Sequence, residues 1–180
     1  MKKGILFTLA IICINASIYS QNRLIDRSAK VSFYSEAALE DIEATTSQAL
    51  GVLDLDNNKV AVSILMKSFN FEKALMQEHF NENYVESDKF PKATFSGVFD
   101  SPVDFSKEGT VEAQVSGKLT IHGVTKDVTN TVTMVISETS ISASTSFMVK
   151  VEEYKIKIPK VVVTNIAEEV EVKASFNFDR

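Results

Sequence analysis

The sequence predicts an all-β protein, an antiparallel up-and-down barrel of about eight strands with one amphipathic helix. Apolar and polar residues alternate over long stretches, the clearest running from Val111 to Ile121, and such alternation is typical of a strand with one buried face. Hydrophobic residues make up 44% of the 180 residues, enough for the core of one domain. The chain has only 6 Gly and 3 Pro, as expected for long strands joined by few, tight turns.

The first twenty residues have the pattern of a secretory signal peptide. Lys2 and Lys3 precede an apolar run, residues 5–14, and a small, polar stretch, residues 15–20. That run is too short for a stable membrane span, which needs roughly 20 residues. We therefore expect residues 1–20 to be a cleaved leader containing the single cysteine, Cys13, and residues 21–180 to be one barrel domain, periplasmic or secreted. Loss of the two lysines changes the net charge from −5 to −7, so a nucleic-acid partner is not expected.

Several further segments of the sequence have the two-residue period. Short strands are predicted at Val31–Ser35, Ile42–Ala49 and Ala93–Phe99, and long ones at Val128–Ile136, Ile141–Val149 and Val170–Phe178. We expect Val170–Phe178 to close the barrel against the first strand, because closure removes exposed sheet edges.

Turn residues between these strands predict three hairpins. A type II′ turn with Gly123 and Val124 at its centre would place Leu119 opposite Val128 and Val115 opposite Val132. A turn at Asn57 and Asn58 would pair Leu55 with Val60 and Leu53 with Val62. A third turn is predicted at Glu138 and Thr139.

One segment departs from the two-residue period. From Phe71 to Tyr84 the spacing of Met76, Phe80 and Tyr84 by four residues predicts an amphipathic helix, residues 71–84. We expect it to cap one end of the barrel or to cover a side.

The sequence offers little for catalysis. His79 falls in the predicted helix, and His122 falls on the polar face of its strand, where a solvated side chain is expected. We find no Gly-rich phosphate loop and no G-x-S-x-G motif in residues 21–180. The sequence therefore favours a protein that is not an enzyme, with no cofactor and no metal.

The inward-facing residues are the candidates for a ligand site. An eight-stranded barrel is filled by its own side chains or holds one small ligand, and periodicity leaves both alternatives open. We expect Asn130, Gly117 and Phe147 to lie side by side on the inner face, with Phe147 covering Gly117 and Asn130 offering a polar contact. The full set of candidate cavity-lining residues is Ile64, Met66, Phe95, Phe99, Leu119, Ile121, Asn130, Val132, Met134, Phe147 and Phe176.

Two stretches resemble the YceI-like family of exported bacterial proteins. They are F-P-K-A-T-F at residues 90–95 and G-K-L-T-I-H-G-V-T-K-D-V at residues 117–128, and the resemblance covers residues 23–178. It implies a lipocalin-like antiparallel barrel that encloses an elongated apolar ligand, because some members bind polyisoprenoid chains.

Two functions from different classes follow. The first is non-enzymatic binding, sequestration or transport of an isoprenoid or other lipid in the cell envelope. The second is a ligand-free barrel that acts as a protein-interaction or stress-protective module through its surface.

Overall fold

The computed structural model describes residues 22–36, 41–157 and 168–180, and in them the chain forms a closed antiparallel barrel. The predicted leader, residues 1–20, lies outside the described residues. The elements are β1 (Arg23–Ser35), β2 (Ile42–Asp54), β3 (Lys59–Leu65), β4 (Asn70–Phe71), α1 (Ala74–His79), β5 (Lys92–Phe99), β6 (Gly109–Ile121), β7 (Val124–Ile136), β8 (Ser140–Lys150) and β9 (Glu169–Asp179).

Eight of these strands form the barrel wall. Their order is β1-β9-β8-β7-β6-β5-β3-β2, and β2 pairs with β1 to complete the ring. The short strand β4 also pairs with β2, at Ala44 and Thr45, past the end of β3. The predicted all-β barrel and the closing contact are confirmed, since β9 pairs with β1 from Glu171 opposite Tyr34 to Ser175 opposite Lys30. Most apolar residues of the wall point inward, and Val135 and Met148 are exceptions on the outer face.

The β1–β9 ladder stops short of the barrel end, and a side chain completes the closure there. Asp26, only 7% exposed, accepts a hydrogen bond from the backbone N–H of Asn177 at 2.8 Å. Its other carboxylate oxygen accepts from the N–H of Ser28, also at 2.8 Å, where β1 bulges. A carboxylate thus satisfies backbone donors that the ladder leaves unpaired.

The predicted registers of two hairpins are wrong by two residues. Ile121 pairs with Val124, so the central turn residues are His122 and Gly123, with φ of 50° and 71°, as in a type I′ turn. Val115 therefore lies opposite Asn130 rather than Val132, and Leu119 lies opposite Lys126 rather than Val128. A type I′ turn is preferred because its twist matches that of the strands.

The β2–β3 turn shows the same kind of shift. Leu53 pairs with Val60, and four residues, 55–58, connect the strands instead of two. The Asp54 carboxylate fixes this loop by accepting from the backbone N–H of Asn57 at 3.0 Å. The third hairpin is as predicted, with Ile136 opposite Ile141 around Glu138 and Thr139.

The predicted helix exists but is shorter than residues 71–84. Phe71 belongs to β4, where it lies opposite Ala44. The helix begins at Ala74, and after His79 it widens into a π-helical turn, Phe80–Tyr84. The segment lies over one end of the barrel, as its amphipathic pattern predicts.

Candidate functional site: two apolar cavities

The barrel interior holds an outer cavity of about 330 Å³ under α1. This is about twice the volume of an engineered apolar cavity of about 150 Å³ that binds benzene. Strands form its sides, the helical segment forms its cover, and the residues after β8 complete its rim. Its lining is almost wholly apolar and includes Val31, Phe33, Ile42, Ile64, Met66, Phe69, Phe71, Met76, Phe80, Tyr84, Val85, Ala93, Leu119, Ile121, Phe147, Val149, Val151, Ile156, Val170 and Val172, with Ser35 and His79 as polar members.

Four phenylalanines, Phe33, Phe69, Phe71 and Phe80, form an aromatic cluster in the outer cavity. The ring of Phe80, from the helical cover, stacks on Phe33 of β1 with centroids 5.4 Å apart. It also lies 5.0 Å from Phe71 and 5.8 Å from Phe69. These ring contacts attach the cover to the barrel wall through apolar surface.

An inner cavity of about 110 Å³ lies further along the barrel. Its polar members are Thr94, Asn130, Ser144 and Thr145. The two cavities share a belt of wall residues, namely Val31, Ile64, Ala93, Leu119, Phe147 and Val172. Because the walls are continuous, the cavities together define an elongated apolar interior.

The inner cavity lies where the β7–β8 ladder ends. The last backbone pair is Thr133 with Ser144, and the hydroxyl of Thr145 then donates to the carbonyl of Thr131 at 2.7 Å. Asn130 lies next to this point on the inner face. Three of the four polar members of the inner cavity, Asn130, Ser144 and Thr145, therefore lie on the neighbouring strands β7 and β8.

The far end of the barrel is closed by the loop between β5 and β6. Phe105, 6% exposed, packs edge-on against Phe99 with centroids 5.9 Å apart. The Arg180 guanidinium donates to the Phe105 carbonyl, and the Asn58 side chain accepts from the N–H of Val103 at 2.7 Å. These contacts separate the inner cavity from solvent at that end.

Every residue predicted to line a cavity does line one. Met66 and Ile121 border the outer cavity, and Ile64, Leu119 and Phe147 border both. The remaining candidates border the inner cavity, and they are Phe95, Phe99, Asn130, Val132, Met134 and Phe176. That these side chains contact a ligand remains a prediction.

Sequence reasoning missed most of the outer cavity. It placed Phe71, Met76, Phe80 and Tyr84 on a covering helix but did not assign them to a site, and it did not use Phe33 and Phe69. The alternation of Phe69 and Phe71 around Asn70 was the available signal, because it indicates a short strand beside an aromatic helix face.

The expected contact of Phe147 with Gly117 is wrong. Gly117 lies opposite Val128 on one side and Gly97 on the other. A Cβ built on Gly117 would lie 2.5 Å from the Cα of Gly97 and 2.9 Å from the ring of Phe95. Phe95, on the strand next to Gly117, covers the gap that both glycines leave.

The prediction that His122 is solvated is also wrong, because its side chain is only 10% exposed. One ring nitrogen, Nε2, lies 2.8 Å from Glu86 Oε2, and the other, Nδ1, lies 3.1 Å from the Tyr154 carbonyl oxygen. The hydrogen bond from His122 lowers the pKa of Glu86, aided by the nearby ammonium of Lys89, although partial burial opposes the shift. A turn between two strands is thus bonded to two other segments of the chain.

The interior offers no chemistry beyond apolar contact and a few hydrogen bonds. Among the described residues no group of three or more His, Cys, Asp or Glu is placed to hold a metal ion. In the same ranges of the chain, no helix combines the length and the apolar character that crossing a membrane requires. The fold and its interior define the class of a lipocalin-like barrel with an apolar internal site.

The chain belongs to the YceI-like domain family, whose model matches residues 23–178. A search of curated proteins finds no match. Among solved structures, the chain is similar to a polyisoprenoid-binding domain from Saccharophagus degradans that is implicated in plant cell wall breakdown. The two share 16% sequence identity, with a TM-score of 0.73 over 87% of this chain and 97% of that one.

Two further structures share the fold. One is BcnA of Burkholderia cenocepacia, at 20% identity and a TM-score of 0.69 over 83% of this chain and 95% of that one. The other is the YCEI protein of Campylobacter jejuni, at 16% identity and a TM-score of 0.59 over 100% of this chain and 99% of that one.

Proposed function

We propose that this protein binds an elongated apolar molecule, an isoprenoid or other lipid, inside its barrel and carries or sequesters it in the cell envelope without catalysis. The observation that carries the proposal is the pair of adjoining apolar cavities, which share six wall residues inside the barrel. The similarity of the fold to that of a polyisoprenoid-binding domain supports the proposal. The leader-like pattern of residues 1–20 supports export.

The energetics of such binding come from burial of ligand surface. Each square ångström of apolar surface removed from water contributes about 25 cal/mol before ordering costs. A flexible chain that occupies only the outer cavity leaves the inner one empty, whereas a longer chain fills both. Affinity should therefore increase with chain length until the inner cavity is full.

The polar side of the inner cavity gives the ligand an orientation. Asn130 is the residue that we propose for a polar contact, because its amide can donate and accept within an apolar wall. A ligand with a hydroxyl or carbonyl on its inner end would satisfy that amide.

Filling the inner cavity tests the proposal. Met134 is 1% exposed and lines that cavity, whereas the next residue, Val135, is 51% exposed on the outer face. We expect Met134→Trp to weaken binding of geranylgeraniol at least tenfold and to leave binding of the shorter geraniol nearly unchanged. Val135→Trp is the matched control and should bind both alcohols as the wild type does.

Other outcomes separate the two functions considered for this chain. A folded Met134→Trp protein that binds geranylgeraniol normally, or a wild type that binds neither alcohol, contradicts the proposal and favours a ligand-free barrel acting through its surface. If Met134→Trp does not fold, Ala143→Leu fills the same cavity from the opposite strand, because Ala143 pairs with Met134.

A further inference from the structure

The two polar contacts of His122 depend on which of its ring nitrogens carry a hydrogen. Its two partners are a backbone carbonyl, from Tyr154, and a carboxylate, from Glu86. Because the pKa of Glu86 is lowered, this carboxylate is ionised at neutral pH, and neither partner can then donate a hydrogen bond. The two contacts can therefore both be hydrogen bonds only when each ring nitrogen of His122 carries a hydrogen.

Aromatic and charged groups surround His122. The ring of Phe90 meets the imidazole of His122 edge-on, with ring centroids 4.5 Å apart. The ammonium of Lys89 lies 4.9 Å from the centroid of the Phe90 ring. Charged groups face the cluster from each neighbouring segment. They are Glu86 and Lys89 from the loop before β5, Lys126 from β7, Glu153 next to Tyr154, and Lys157, whose charge acts on Glu86.

Glu86, His122 and Tyr154 lie in three different segments: the loop before β5, the turn between β6 and β7, and the residues after β8. These segments form the rim of the outer cavity. Val85 precedes Glu86, Ile121 precedes His122, and Ile156 follows Tyr154 by two residues, and all three of these apolar neighbours line the outer cavity. The hydrogen bonds of one imidazole thus hold the rim segments together.

We propose that His122 is a pH-sensitive latch, which closes the rim of the outer cavity when its imidazole is doubly protonated and loosens it when one proton leaves. The part of this proposal that concerns ligand retention rests on the proposed function, whereas the latch itself does not. A neutral imidazole keeps only one N–H, so a lone pair would face either the carbonyl of Tyr154 or the carboxylate of Glu86.

The direction of the pH dependence follows from the two partners. Loss of a proton from the imidazole removes one of its two N–H donors, so the latch weakens as the pH rises. Glu86 has a lowered pKa, so its contribution is present above the ordinary pKa of a glutamate and is lost only as the pH falls through the lowered value. The latch is therefore complete only where the imidazole carries both hydrogens and Glu86 is ionised.

A direct test observes the latch without any ligand. In the wild type we expect the ¹⁵N shifts of the His122 ring to report a cation at pH 5.5. Between pH 5.5 and 8, amide hydrogen exchange should become at least tenfold faster in residues 84–90 and 151–156, after correction for the intrinsic pH dependence of exchange. Strand amides away from the rim should show no such change.

Glu86→Gln provides the decisive variant. The amide of Gln can donate to a neutral Nε2 while Nδ1–H still donates to Tyr154, so the latch should stay closed at pH 8 and lose its pH dependence. His122→Asn, a residue that tolerates the positive φ of this turn, should leave the rim loose at both pH values. Asp127→Asn removes a carboxylate from an exposed pair with Lys118 on the same hairpin and should behave as the wild type.

The ligand measurement uses geranylgeraniol. We expect its dissociation from the wild type to be at least fivefold faster at pH 8 than at pH 5.5, and pH-independent in Glu86→Gln. Rim exchange that does not change with pH in the wild type, or that changes equally in Glu86→Gln, overturns the latch. A rim that switches as expected in a protein that binds no geranylgeraniol contradicts the proposed function and leaves the latch standing.

Discussion

The ring of Phe90 meets the ring of His122 edge-on, with centroids 4.5 Å apart. Phe90 opens the stretch at residues 90–95, and His122 belongs to the stretch at residues 117–128, the two stretches on which the family resemblance rests. They are far apart in the chain but meet at the rim of the outer cavity. The two motifs thus form one structural unit, in which a turn is packed against the start of β5.

This unit predicts that Gly123 is required for stability. A Cβ at position 123 would lie 2.5 Å from Phe90 Cε1, and the backbone φ is already 71°. Gly109, with φ of 137° and open space around it, is the matched control. We expect Gly109→Ala to lower the free energy of unfolding by about 1 kcal/mol, and Gly123→Ala to lower it by about 1–3 kcal/mol more, because the ring of Phe90 must also shift.

Urea unfolding measures both variants. Equal losses for Gly123→Ala and Gly109→Ala would show that the ring of Phe90 does not constrain the turn.

Phe105 should be the residue that closes the far end of the barrel. It is buried against Phe99 and its carbonyl accepts from Arg180, so truncation leaves a void beside the inner cavity. We expect Phe105→Ala to lower the free energy of unfolding by about 3–5 kcal/mol. Leu75→Ala, at a 61% exposed position of α1, should change it by no more than about 0.5 kcal/mol. A loss below about 1 kcal/mol for Phe105→Ala would mean that the loop does not seal the barrel.

Asp54 should contribute to the pH dependence of stability. The hydrogen bond from the Arg23 guanidinium, at 2.9 Å, lowers the pKa of Asp54, and the bonds from Asn57 add to this. A lowered pKa means that the stabilisation is present above the ordinary aspartate pKa of about 4 and is lost as the pH falls through the lowered value.

The measurement is the free energy of unfolding in urea at several pH values between 2.5 and 7. Asp54→Asn should be less stable than the wild type at pH 7, and the difference should shrink towards pH 2.5. Asp127→Asn, at an exposed pair, controls for the loss of one carboxylate. A difference between Asp54→Asn and the wild type that is independent of pH would contradict the assignment.

The sequence predicts the barrel because its signal is strong and repeated. Strict alternation decides which face of each strand is buried, and closure by β9 follows from the need to pair both edge strands. Two of the three hairpin registers were wrong, because alternation alone does not locate the turn. A shift of two residues keeps every side chain on its face, so the apolar pattern cannot detect it, and the turn geometry of His122 and Gly123 decides instead.

The inner half of the site was predictable, whereas the outer half was not. Residues such as Leu119 and Met134 lie on long strands in which apolar and polar residues alternate, so their position in the alternation predicts that they point inward. Phe33, Phe69 and Phe80 form a cluster only because a two-residue strand and a π-helical turn bring them together. The exposure of His122 was predicted wrongly because the alternation of a strand does not apply to a turn residue. The positive φ of His122 sets the direction of its side chain instead.

The most direct test of the central claim is native mass spectrometry of the protein expressed from the full chain, residues 1–20 included, and purified without added lipid. We expect a folded protein that carries an additional mass, released by organic solvent and identified as an isoprenoid or other long-chain lipid. Val135→Trp should carry the same mass and Met134→Trp should carry less of it. A folded wild type that repeatedly shows only the mass of its own polypeptide, and that takes up no geranylgeraniol when the alcohol is supplied, would contradict the claim.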